Sequence, residues 1–536
     1  MMTKLQLNPK RFLSFKLSLL AILTIEIGFS QTFSISNQTS IGTYMSDGVG
    51  LKTLLLNDGS FLSSMTTDAG ISGDKTIASY GAWDSWLFKT NSSNQVIWEK
   101  VIGGPGYESV NEIAVDSDGF IYSFGVNDSM VGGNVSVYSN GSFDYFLTKL
   151  TPDGTIVWQK NFGGNGGEDA SKISILGDTL ILLSGQSLSG IGFDKTEPNY
   201  GWKDAWVVAI DSSGNLNWEK SLGGSEFEYV SNVIYNPIHN SVLVCINTDS
   251  PISGNKTVDT YGYDDIWLVE LDLYGTILQQ KSFGGTLSDY VRDISLNFTN
   301  DGFFVLGWSN SEPSGNKTSI NYGNNDLWLF EIDENFNIIN DESYGGSYID
   351  GANGLIKRTN AELVVFGGSL SGISGVKTEA SYGNSDDWIL GIDENLNLKW
   401  QKSIGGSNGD SPITIYETSH NEFKIFSYSQ SPISGIKTVG TKGNEDLWIF
   451  DLSTTASVTS IVDNPISYYP NPVSNMLFFN NIEEHTEVLV FNQMGQLVIK
   501  TEVLNSSIET NSLSSGIYMI QVETEFGTFT EKIIKE

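Results

Sequence analysis

The chain has 536 residues, 39% of them hydrophobic and 12% aromatic, enough for several domains or one large repeat array with a buried core. Its formal charge of −34 repels polyphosphates and anionic lipid; this argues against nucleic acid or a membrane surface as partner and suits a secreted protein or one that meets divalent cations. The single cysteine, Cys245, excludes an internal disulfide framework and a thiolate-rich metal site.

The first segment reads as an export signal. Lys4, Lys10, Arg11 and Lys16 precede an apolar run at 17–29 that Glu26 interrupts and that is short for a bilayer span. Small residues at Gly28 and Ser30 place a cleavage site between Ser30 and Gln31. Residues 1–30 are therefore expected to be a removed signal peptide, with an uncleaved anchor as the alternative. No cysteine follows the run, which argues against a lipoprotein, and no later stretch reads as a transmembrane span.

Residues 31–452 carry a repeat. An Asp-x-aromatic triplet occurs as Asp84/Trp86, Asp144/Phe146, Asp204/Trp206, Asp265/Trp267, Asp326/Trp328, Asp386/Trp388 and Asp446/Trp448, at spacings of 60 or 61. A Gly-Gly phrase accompanies it six times, as in "WEKSLGG" at 218–224 and "WQKSIGG" at 400–406. Each unit holds four strand-like pieces joined by Gly-containing turns, for example 111–116, 120–126, 144–150 and 155–162. Several second strands, such as "FFVLGWS" at 303–309, are apolar on both faces and must be covered on both sides. The fold class expected is all-β: a seven-bladed β-propeller of four-stranded blades. The seventh unit ends after three strands, and "TFSISNQTSIGTY" at 32–44 resembles the missing fourth. The N-terminal strand is thus expected to complete the last blade, leaving no open sheet edge. An open solenoid is the alternative.

The repeated residues receive structural roles. Trp86 and its equivalents are expected between blades, and their Asp partners are expected to accept turn amides. Trp98, Trp158, Trp218 and Trp400, on fourth strands, are expected at the next blade contact. The Gly pairs are expected to supply positive φ where the chain changes blade.

The long link between second and third strands is patterned, as in "SGNKTVDTYGYDD" at 253–265, and repeats a lysine at Lys75, Lys195, Lys256, Lys317, Lys377 and Lys437. Two readings stand: each lysine caps its own loop, or the six form an incomplete circle that binds an anion or acidic glycan. Trp83, Trp202 and Trp308 break the repeat and are candidate sugar-stacking residues. These nine residues are the ligand-contact candidates. No catalytic residue, cofactor site or metal site is assigned. His239, His420 and His485 lack metal-binding spacing, and calcium is compatible with the charge but unassigned, because no complete calcium loop appears. Cys245 sits in an apolar strand and is expected to be buried.

A Ser/Thr-rich linker at 453–466 leads to a last domain at 467–536, with alternating strands, Gly and Asn turns, and a small β-sandwich as the expected fold.

Two resemblances follow from these residues. The run "DSSGNLNWEKSLGG" at 211–224 resembles blade repeats of propellers in secreted bacterial proteins. Its fourth-strand part is also similar to the tryptophan-docking blades of quinoprotein dehydrogenases, but no adjacent cysteine pair or cofactor constellation accompanies it. Kelch repeats share the Gly doublet at a shorter period. The tail, with Tyr469-Pro470-Asn471-Pro472, Gly495, Gly516, Tyr518, Lys532 and Lys535, resembles the type A C-terminal sorting domain of the type IX secretion system of Bacteroidota. That resemblance implies handling by the type IX machinery and a location outside the cell or on its outer surface. The function expected is a binding or adhesion module for an extracellular glycan or protein. A polysaccharide hydrolase or lyase, or a purely structural surface component, is the alternative.

Overall fold

The computed structural model describes residues 30–536 apart from 46, 48, 129, 178, 458–466, 481–484, 493–495 and 525–526. All regular elements among them are strands. The expected signal segment, save Ser30, and the tail residue Gly495 lie outside the described residues. The chain divides into two compact units, one of them Phe33–Thr454 and the other containing Thr455–Glu536.

The larger unit is built from seven four-stranded antiparallel sheets. Blade 1 starts at Val49, and blade 6 ends at Ile404, each blade running in chain order from first to fourth strand. The first strands neighbour one another around the ring, and that of blade 7, Asp410–Ser419, returns to that of blade 1, Val49–Leu55. Tyr416 bridges this seam by donating its hydroxyl to the Thr53 carbonyl at 2.7 Å. Blade 7 takes its fourth strand from Ser30–Ile41, beside Asp446–Ser457. Ser40 Oγ donates to Asp446 Oδ2 at 2.9 Å, and Thr438 N donates to Gln38 Oε1 at 2.8 Å, so side chains fasten the closure too. The ring is a closed seven-bladed propeller, as the missing seventh strand implied.

Blades stack through their third strands. Trp86, Trp206, Trp267, Trp328, Trp388 and Trp448 are among the largest fully buried side chains, and the buried clusters join residues of consecutive blades. The indole of Trp328 donates to Asp341 Oδ2 at 3.0 Å on the neighbouring strand. Trp98 and Trp218 reach into the next blade, donating to Asp153 O at 3.0 Å and Leu273 O at 2.8 Å. Trp400 instead donates to Glu362 within its own blade.

The Gly-Gly phrase has a different cause from the one expected. Of these pairs only Gly284 has a positive φ, at 158°. The pairs are glycine because side chains crowd them. A Cβ at Gly103, Gly163 or Gly345 would lie 2.0, 2.1 or 1.9 Å from the Oδ1 of the third-strand Asp84, Asp144 or Asp326. A Cβ on the second glycine would strike a serine, as Gly224 would strike Ser250 at 2.4 Å. The second glycine also donates its N–H to a carboxylate opening the next blade: Gly285 to Asp289 at 2.7 Å, Gly346 to Asp350 at 2.7 Å, Gly406 to Asp410 at 2.7 Å. Each junction therefore holds two carboxylates close together. One comes from the third strand and accepts a turn amide, such as Lys442 N on Asp446 at 2.8 Å; the other comes from the next first strand. Burial pushes Asp144 and Asp326 up to about 6, and Glu228 and Asp265 up to about 7.

The second unit packs a three-stranded sheet and a four-stranded sheet around Val473, Leu477, Val488, Ile520 and Ile533. This is the expected sandwich.

Candidate functional site

Antiparallel order puts the long second-to-third links and the blade-to-blade crossings on one face of the ring. The ends of the first strands at that face surround an axial cavity of about 730 Å³. Its shape comes from a repeated defect. The pairing register slips in five first strands, between Val49 and Lys52, Ala170 and Lys172, Val230 and Asn232, Val291 and Asp293, and Pro412 and Thr414. A bulge leaves one residue unpaired and turns its side chain away from the ladder. Ser171, Ser231, Arg292 and Ile413, the residues skipped in four of these slips, all line the cavity. Leu51, Asn111 and Asn353 hold the same place in the other blades and line it as well. In that ring of seven positions Arg292 is the only charged residue.

One residue further along lies a second layer with mixed charge. Lys172 pairs with Glu112 at 2.7 Å, and Lys52 reaches the same carboxylate at 3.6 Å. Burial opposes the charge of Glu112, but Lys172 and Lys52 outweigh it and hold the carboxyl below its usual range. Glu112 supports the charge of Lys52, yet burial and Lys172 bring that ammonium below its usual range. Burial opposes the charge of Lys172, but Glu112 wins and raises it. Asp293 accepts three donors: Asn232 Nδ2 at 2.8 Å, Ile294 N at 2.9 Å and Leu355 N at 3.0 Å. Burial still pushes its carboxyl up.

Arg292 differs from all of these. Its side chain is solvent-exposed inside the cavity, and it makes no hydrogen bond or ion pair with any described residue. The cavity walls around it partly strip its hydration and lower its pKa, and Tyr290 opposes this.

An aromatic group lies on the same face over blades 3 to 5. Trp202 is 67% exposed and nearly parallel to Phe227, with centroids 6.4 Å apart and planes at 15°. Phe227 is nearly parallel to Tyr229 at 6.2 Å and 9°. Tyr290 holds in blade 5 the place that Tyr229 holds in blade 4, and it stacks on Trp308 at 4.2 Å and 22°. Lys203 lies 5.6 Å from the Tyr229 ring and pairs with Asp169. In blades 2 and 7 the residues matching Tyr229 are Ser109 and Ser411, so the row that runs on through Tyr229 is not repeated there.

The sequence-derived candidates now separate. Trp202 and Trp308 belong to the aromatic sector. Trp83 is half-buried in blade 1, bridged through its backbone to Tyr107. The six repeated lysines are not a ring of surface charge. Lys75, Lys195, Lys256, Lys317, Lys377 and Lys437 are each at most 2% exposed. Their ammonium groups close their own loops: Lys75 donates to Ala69 O at 2.8 Å and Ile77 O at 2.7 Å, and Lys317 to Ser319 O at 2.6 Å. Several also sit over the repeated indole, Lys437 at 5.3 Å from Trp448. A ligand on the outer surface meets none of them. Arg292, Phe227, Tyr229 and Tyr290 were not among the sequence candidates.

Among the described residues no group of three or more metal-ligating side chains gathers. His239 Nδ1 lies 2.9 Å from Glu270 Oε1, and Ser241 donates to the same carboxylate rather than to the imidazole. That trio has no nucleophile-to-base contact. Cys245 is fully buried, and burial pushes its thiol far up.

In the second unit, Asn471 clamps the last strand. Its Nδ2 donates to Lys532 O at 3.0 Å, and its Oδ1 accepts Ile534 N at 2.8 Å. Tyr469 stacks on Phe478 at 5.7 Å, and Pro470 and Pro472 both follow cis bonds. Tyr518 donates to Ser514 O at 3.0 Å, just before Gly516, and Lys535 bridges back to Val473. Residues 467–536 match the family model of the secretion system C-terminal sorting domain. The chain thus carries a type IX sorting domain behind a propeller, which makes it a secreted or cell-surface protein. No helix among the described residues is long and apolar enough to cross a membrane.

No curated protein matches the chain. Among solved structures it is similar to PorZ of Porphyromonas gingivalis, a surface component of the type-IX secretion system, with 11% identity over 90% of this chain and a TM-score of 0.37. The chain covers 58% of PorZ. It is also similar to the WD40 domain of Neurospora crassa Pan2, with 10% identity, 77% of this chain, 95% of that one and a TM-score of 0.42. A third is a protein of unknown function from Dyadobacter fermentans, with 10% identity, 79% of this chain, 99% of that one and a TM-score of 0.39.

Proposed function

We propose that the propeller is a carbohydrate-binding module, exported by the type IX machinery and acting outside the cell or on its surface. The observation that supports this is the row of nearly parallel rings Trp202, Phe227 and Tyr229 beside the axial cavity. The apolar faces of pyranose rings bury well against such side chains, and aromatic groups keep their shape on binding at little entropic cost. The row occupies one sector of an otherwise repetitive ring, which is where selectivity resides when every other position serves the blades. The test is a glycan array probed with the exported protein, alongside its Trp202→Ala and Tyr229→Ala variants. Selective binding that both variants weaken about tenfold supports the reading. Binding that both leave unchanged overturns it.

A further inference from the structure

We infer that the axial cavity holds the carboxylate end of the glycan: the ligand is an oligosaccharide with a single acidic sugar, a uronate or a similar carboxylated unit, gripped by Arg292. This rests on the carbohydrate reading above and adds the ligand's chemistry.

Three observations carry it. The first is the state of Arg292. It is the only charged residue in its layer, and its guanidinium has no partner among the described residues. A guanidinium is a planar fork of five donors, which matches a carboxylate in two parallel hydrogen bonds. Second, the other cavity charges are engaged. Glu112 is taken up by Lys172 and Lys52, and Asp293 by Asn232 and two backbone amides. The lining carries Lys52, Lys172 and Arg292 against Glu112 and Asp293, a positive balance inside a protein whose net charge is −34. Third is position. Arg292 follows Tyr290 by two residues on the same first strand, so the aromatic sector leads directly to the guanidinium.

The overall charge narrows the ligand further. A long polyanion meets repulsion from the acidic surface over a Debye length of roughly 10 Å at 0.1 M salt. A neutral chain with one acidic end meets little of it, and its charge is delivered where the local balance is positive. The small side chains of Ser171 and Ser231 share the guanidinium's layer. The neighbouring space is already tight: a Cβ on Gly354 would lie 2.6 Å from the Phe366 ring and 3.3 Å from Asp293 Oδ2.

The experiment uses the full exported chain and three matched probes: an oligosaccharide ending in glucuronate, the same one with the carboxyl reduced to hydroxymethyl, and the same one with a sulfate ester in its place. Calorimetry is expected to show the glucuronate form binding at least tenfold more tightly than the reduced form. Arg292→Gln is expected to erase that difference, the loss falling mainly on the glucuronate form, and Arg292→Lys to restore part of it. Equal binding of the acidic and reduced forms, or a preference that survives Arg292→Gln, overturns the acidic-end assignment and leaves the carbohydrate reading standing. Tightest binding of the sulfate form overturns the carboxylate. Failure of all three probes together with a blank array overturns both readings.

Discussion

The carboxylate pairs at the blade junctions make the propeller weaken as pH rises through neutrality. Asp144, Glu228, Asp265 and Asp326 stand at four different junctions, with pKa values raised by burial to about 6, 7, 7 and 6 from ordinary values of 3.8 or 4.5. Around Asp265 the facing groups are Asp289, which raises the shift, and Lys256, which opposes it. Between about pH 4.5 and 6 the folded protein keeps protons that the unfolded chain releases. Each such group contributes stability that is complete below its unfolded pKa and is lost as pH climbs through its folded pKa. Each retained proton is worth about 1.4 kcal/mol per pH unit, so even two of the four give roughly 3 kcal/mol per unit across that window. Scanning calorimetry at constant ionic strength is expected to show Tm falling by roughly 5 °C or more from pH 5 to pH 8. General repulsion among surface acids acts in the same direction. The control is Asp265→Asn, which keeps an acceptor for Tyr261 N but cannot ionise, and which is expected to flatten the slope and raise Tm at pH 8. A Tm that is level or rises from pH 5 to 8, or an Asp265→Asn profile parallel to the parent, would refute the argument.

Four further outcomes can be checked. Trp328→Ala empties a fully buried indole site and removes one of the three N–H donors to Asp341 Oδ2; thermal or denaturant unfolding is expected to show a loss of about 3–5 kcal/mol. Gly345→Ala places a methyl against Asp326, so it should destabilise more than Gly372→Ala, where nothing lies within 4 Å. Phe193 is 64% exposed with a φ of 52°, where the equivalent residues are glycines such as Gly254; Phe193→Gly is expected to raise stability by about 0.5–1 kcal/mol in denaturant titration. Ending the chain before Tyr468 removes the sorting domain, and the protein is expected to accumulate inside the cell, as read by immunoblot of fractions.

The repeat was legible because structure and sequence share a period. Asp-x-aromatic triplets at 60 or 61 residues marked every blade, and a seventh unit one strand short pointed to Ser30–Ile41. What escaped sequence reading depends on neighbours distant in the chain. The Gly pairs resemble turn glycines until the Asp from the same blade and the Ser from the next are seen to crowd them. A lysine in a polar loop reads as exposed; Lys75 is buried because carbonyls of its own loop converge on its ammonium. Arg292 looked like one residue of an ordinary strand, and only the bulge reveals where its side chain goes. Tyr229 and Tyr290 had a detectable signal, since aligned units place Ser109 and Ser411 at the same position.

The strand that closes blade 7 also sets an order of assembly. Ser40 and Asp446 touch across 406 residues, so a chain delivered N-terminus first holds Ser30–Ile41 idle until nearly all of the propeller has emerged. Joining ends that far apart costs about 5 kcal/mol of loop entropy, a charge that grows only slowly with length. The greater hazard is time: through that interval an unpaired strand and an incomplete sheet edge both stand open to other chains. The propeller is thus finished in a single late step, and every product cut short before Asp446 remains an unfastened ring.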